Sequence, residues 1–112
     1  MISKLSIRAV QMDLARQPET VAFIKSSIDF YSQFGYNFLV LYLEGRIRTE
    51  SFHAFPDSRS YSPEEVREIV SYALEKGLET IPVVSLFGHA EHFLAPEENE
   101  IYAELKNGAK GR

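Results

Sequence analysis

Between positions 81 and 92 the chain reads Ile81-Pro82-Val83-Val84-Ser85-Leu86-Phe87-Gly88-His89-Ala90-Glu91-His92. Five of the first seven residues are apolar, and the run breaks at a glycine into a cluster of ionisable side chains. A parallel strand covered by helices on both faces reads as such a continuous apolar run. Sheets of that kind carry their chemistry just past the carboxyl ends of the strands. The sequence therefore predicts a sharp turn at Gly88 that delivers His89 to a strand-end rim.

Two earlier segments repeat this design. Residues 5–14 hold Ile7, Val10, Met12 and Leu14, with Arg8 and Asp13 set among them. Residues 37–43 contain the unbroken run Phe38-Leu39-Val40-Leu41-Tyr42. Between these two strands Pro18-Glu19 predicts a helix start. Val21, Ile24, Ile28 and Tyr31 form its buried stripe at three- and four-residue spacing. Gly35 is placed to end it as a left-handed cap. A polar stretch follows at 44–61, long enough to be functional. Ser62-Pro63-Glu64-Glu65 is then a capping box with proline at the first helical position. Val66, Ile69, Val70, Ala73 and Leu74 are the expected stripe, closed by Gly77. The third strand is predicted at 79–86 and a last helix at 97–105, before an unpatterned tail.

The order is β-α-β-α-β-α, with strands spaced for parallel units joined by crossover helices. One partial α/β domain over 1–112 is expected, either a small open sheet or the first part of a (β/α)8 barrel, which takes roughly 250 residues. A net charge of −4 gives no electrostatic reason to expect nucleic acid or an acidic membrane as partner. No apolar stretch approaches the roughly 20 residues that span a bilayer, and residues 1–8 lack a signal-peptide core. Without cysteine, thiolate metal sites and disulfides are excluded. No glycine-rich phosphate loop or serine nucleophile elbow is present.

The strand ends carry a resemblance. Arg8-Ala9-Val10-Gln11-Met12-Asp13-Leu14-Ala15-Arg16 resembles the R-G-x-x-L-D-x-x-R opening strand of glycoside hydrolase family 20, the β-N-acetylhexosaminidases. Asn37 leading into Leu41-Tyr42-Leu43-Glu44 is similar to the family's N-x-x-x-x-H-L-x-D segment. Ile81-Pro82 through Gly88-His89-Ala90 resembles its I-P-E-x-D-x-P-G-H-A. Tyr61-Ser62-Pro63-Glu64-Glu65, with Tyr72-Ala73 and Lys76-Gly77-Leu78, resembles the helix between them. Val83 and Ser85 stand where the family usually has acids, Phe87 replaces its proline, Tyr42 its histidine and Ala9 its glycine. These departures mark a divergent branch.

The resemblance implies a barrel fragment that, when complete, hydrolyses terminal N-acetylhexosamine by substrate assistance, an exception to the two-carboxylate scheme. It needs no cofactor, and its partner is a carbohydrate. The family's catalytic Asp-Glu pair follows the fourth strand, and no aspartate is directly followed by a glutamate anywhere in these 112 residues. The chain alone is therefore expected to be inactive. The alternative is a non-catalytic α/β interaction module that self-associates through sheet edges.

Each candidate residue has two readings. Arg8, in a strand fit for burial, is a clamp on sugar hydroxyls by the resemblance, or a structural ion pair. His89 belongs to the family's proton network, or is a satisfied structural histidine. Glu44 binds a hydroxyl or orients a histidine, or is a solvated loop acid. Asp13 and Arg16 support the rim, or pair on the surface. Tyr42 reads most simply as a core aromatic, and Glu91 and His92 as a polar helix turn. A metal alternative would draw on His53, His89, Glu91 and His92, but their spacing lacks the helical i, i+4 placement of a zincin.

Overall fold

The computed structural model describes residues 5–51, 55–85, 88–94 and 97–103. Three strands, β1 (Ala9–Asp13), β2 (Phe38–Tyr42) and β3 (Glu79–Val83), alternate with two long helices, α1 (Val21–Gln33) and α2 (Pro63–Glu75). The strands form one parallel sheet in the order β1-β2-β3, with Met12 beside Leu41 and Leu41 beside Pro82. Sequential parallel neighbours joined by helices are the β-α units predicted from the spacing, and they match the opening of a barrel.

Alternation along each strand sorts the side chains by face. Met12, Leu39 and Leu41 join Ile24, Ile28, Ile69, Ala73 and Leu78 in one core. The other face carries Gln11, Val40, Tyr42 and Ile81. Ile81 is 41% exposed and Val84 52%, so the third run is not covered on both faces, as its apolar sequence implied. Among the described residues, helices cover one side of the sheet and leave the second face open.

Local chemistry sets the helix boundaries. The Thr20 side chain accepts from Phe23 N and caps α1, so the helix opens after Pro18-Glu19 and not on it. Ile24 and Ile28 are fully buried. Gly35 and Gly77 follow the two helices with φ of +77° and +84°, the left-handed conformation in which a Cβ is costly. The capping box of α2 is complete: Ser62 accepts from Glu65 N, and Glu65 accepts from Ser62 N at 2.8 Å. Val70 and Leu74, expected in the buried stripe, are 36% and 64% exposed. They lie on the flank of α2 away from the core row of Ile69 and Ala73.

Two predicted elements change. β1 begins at Ala9, and Leu5 and Ile7 before it are exposed. In place of one helix at 97–105 there is a short α3 (Glu91–Leu94) and a 3-10 segment (Glu97–Tyr102). α3 starts from Ala90, whose carbonyl accepts from Phe93 N and Leu94 N.

Candidate functional site

Parallel register brings Asp13, Tyr42 and Val83 into one row at the carboxyl edge of the sheet. Beyond that row the chain turns after β2. Leu43 stays buried, Glu44 adopts φ +46° and Arg46 N donates to Leu43 O at 3.0 Å. The turn folds Glu44 back over Tyr42, whose hydroxyl donates to Glu44 Oε1 at 2.5 Å. The same hydroxyl lies 3.2 Å from Ser85 Oγ, just past β3. On the far side of the carboxylate, Oε2 faces Nδ1 of His92 at 3.8 Å. Ser85, Tyr42, Glu44 and His92 thus form one polar chain across two strand ends and α3. The Glu44 and His92 side chains are 18% and 11% exposed. A carboxylate so placed keeps lone pairs for a further hydrogen-bond donor without losing its support.

The loop beside this chain is built, not merely polar. Ile47 and Tyr61 make a parallel bridge. Arg46, 4% exposed, donates Nε and Nη2 to Ala15 O at 2.8 and 2.6 Å and Nη1 to Arg59 O at 3.1 Å. Burial pulls its pKa down from the ordinary guanidinium value. Its guanidinium also sits 3.8 Å from the centroid of the Phe55 ring, whose other neighbour is the His92 ring, 24° from parallel at 6.4 Å. Tyr61 donates its hydroxyl to Glu19 O at 2.7 Å. Burial raises this phenol to about 12.

Asp13 and Arg16 stand on the same edge and pair with each other. Asp13 Oδ1 accepts from Arg16 N at 3.1 Å. That backbone bond is the main reason the carboxyl lies below its usual range, and the aspartate in turn raises the Arg16 guanidinium. Both are half-buried or exposed.

The structure places two of the predicted residues differently from the expectation. Arg8 does not converge with Glu44: its Nε donates to Gly35 O and its Nη1 to Leu5 O, each at 2.5 Å, at the amino edge of the sheet. It shares strand parity with Val10 and Met12, on the helical side, so the guanidinium ties β1 to the turn after α1. His89 reaches the rim but is exposed, and it takes φ +53° itself, while Gly88 does not have positive φ. The histidine that meets Glu44 is His92, one turn later. His53 lies outside the described residues.

Tyr42, read as a core aromatic, is the hub of the polar chain. A hint was present, since it stands two residues before Glu44 on the face opposite the core. Ser85 was marked only as standing at an acidic position of the family, and Arg46 and Phe55 gave no signal, because their roles depend on contacts that the fold brings together.

No protein-family model matches the chain. It is 30% identical over 105 residues to Hexosaminidase D of Bos taurus, a match covering 93% of this chain and 30% of that protein. A family 20 chitobiase of Flavobacterium johnsoniae superposes with TM-score 0.74 at 25% identity, over 81% of this chain and 15% of the other. A mutant beta-hexosaminidase of Streptomyces plicatus, in complex with the product GlcNAc, superposes with TM-score 0.76 at 27% identity, over 82% of this chain and 21% of the other. The chain spans under a third of each relative. In sequence and fold it is similar to an early part of a family 20 β-N-acetylhexosaminidase barrel, and the resemblance read from the strand ends stands.

Proposed function

We propose that this chain supplies the first three β-α units of a β-N-acetylhexosaminidase barrel that removes terminal N-acetylhexosamine by substrate assistance. The observation that carries the reading is the polar chain Ser85–Tyr42–Glu44 at the carboxyl edge of the sheet, where barrel enzymes keep their sites. In this reading Glu44 accepts from a hydroxyl of the terminal sugar. Tyr42 holds the carboxylate at a fixed height, and Ser85 carries the bond to the next strand. The rim histidine His89 is free to join a proton network completed by later units. Asp13 and Arg16 brace the edge of β1. Arg8 lies outside this reading, its Nε and Nη1 serving backbone carbonyls at the opposite edge.

The anomeric chemistry belongs to the substrate's own acetamide, whose oxygen attacks in place of an enzyme nucleophile. The acid that protonates the leaving oxygen comes from a later unit. General acid catalysis is worth roughly 10² to 10⁴ in rate, so the 112-residue chain alone falls below detection. The test is hydrolysis of an aryl N-acetylglucosaminide by the chain alone and by the uninterrupted product of its gene. Turnover by the longer product alone, reduced by Glu44→Gln, is expected. Turnover by the chain alone, or none by a longer folded product, overturns the reading.

A further inference from the structure

The contact between His92 and the Glu44-Gly45 turn is closer than a chance meeting of a polar helix turn with a loop. Gly45 packs so tightly against the His92 imidazole that a Cβ at position 45 would overlap Cδ2, with Cγ and Nε2 at 3.1 Å. Gly45 does not have the left-handed φ that usually calls for glycine. That φ belongs to Glu44 before it. The glycine is therefore required by the approach of the ring. The ring also lies 24° from parallel to Phe55, 6.4 Å between centroids, and Arg46 stacks on that phenyl ring. The Nδ1 edge faces Glu44 Oε2 at 3.8 Å, too long for a direct hydrogen bond.

We infer that His92 is a positioning residue: its ring is the plate against which the Glu44-Gly45 turn is pressed, so that the Glu44 carboxylate is presented at one height on the rim. Tyr42 fixes one carboxylate oxygen from below. His92 limits where the other can go. α3, which contributes nothing to the core, thereby gains a task. The inference rests on the assignment of Glu44 as the acceptor for a sugar hydroxyl, and it adds a residue from a part of the chain that assignment does not use.

A plate acts through shape, and its effect on substrate binding runs through Glu44. In the complete hydrolase, His92→Ala is expected to raise KM for the aryl N-acetylglucosaminide about tenfold with little change in kcat. His92→Phe, which keeps a flat ring against Gly45, should restore KM to within about twofold of the original. In a Glu44→Ala background the same His92→Ala change should add nothing, because the group it positions is gone. An unchanged KM in His92→Ala, or full additivity with Glu44→Ala, overturns the inference while leaving the hydrolase reading in place. If the longer product shows no turnover, the hydrolase reading fails, and the contact itself is read from melting of the 112-residue chain. Gly45→Ala should then lower Tm by several degrees beside His92 and by almost nothing beside His92→Ala. Equal losses in both backgrounds overturn it.

Discussion

The guanidinium of Arg46 directs two donors to a single carbonyl, Ala15 O, and a third to Arg59 O. This side chain joins the end of β1 to the far end of the loop after β2. Its planar fork matters because two parallel N–H bonds to one oxygen are not available to an ammonium. Arg46→Lys should therefore leave part of this buried backbone unsatisfied and cost about 2 kcal/mol in urea unfolding. Arg48 donates to backbone through Nη1 alone, to Asp57 O and Ser60 O at 2.8 and 2.6 Å, which one ammonium can replace, so Arg48→Lys should cost less, about 1 kcal/mol. Equal costs would show that the loop does not depend on Arg46. Sequence alone could not separate the two arginines, which sit one residue apart in the same polar stretch. Glu44 was legible because a strand end fixes it locally. Arg46 and His92 were not, since their roles depend on Ala15, Phe55 and Gly45, brought to them by the fold.

Between the helices, a small ionic cluster complements the apolar contact. Asp29 of α1 accepts from the Tyr72 hydroxyl of α2 at 2.9 Å and pairs with Lys76 at 2.7 Å. The Lys76 bond, then the Tyr72 bond, holds the Asp29 carboxyl below its ordinary range. A carboxyl lowered in the folded state adds stability that is fully present above its unfolded pKa, near 4, and is lost as pH falls through the lower folded value. Urea midpoints should thus fall between pH 5 and pH 3, and Asp29→Asn should reduce that fall. The difference is modest because the cluster is exposed. A variant with an unchanged acid slope would remove Asp29 from the account. Ser62→Ala removes the hydroxyl that accepts from Glu65 N, leaving the backbone half of the α2 capping box, and should cost about 1 kcal/mol. This start was readable because a capping box is written in four consecutive residues. The true ends of β1 and α3 were not, because they depend on what the sheet and loop leave room for.

Among the described residues, the sheet is a three-stranded arc with two outer strand edges and one face that no helix covers. β2 is paired on both sides, whereas β1 and β3 have a neighbour on one side only. The exposed side chains on and beside the second face include Ile81 and Val84. The order of units was legible because apolar runs and helical stripes alternate along the chain. Which side the helices take was not, since a β3 run apolar on both faces reads the same whether its second face meets helices or the interior of a barrel. An arc of this kind is stable alone only if its edges find other strands. The chain by itself is therefore expected to associate at micromolar concentration, seen as a mass that rises with concentration in light scattering after size exclusion. Ile81→Lys places a charge on the open face of the β3 edge and should shift the mass toward the monomer, because a lysine there must be desolvated for any strand to pair or pack. In the longer product, where neighbouring units would enclose that face, the same lysine would be buried and should lower Tm sharply instead. A chain that stays monomeric with or without the lysine would mean that its edges are already protected, and the open arc would then be the wrong description of the isolated molecule.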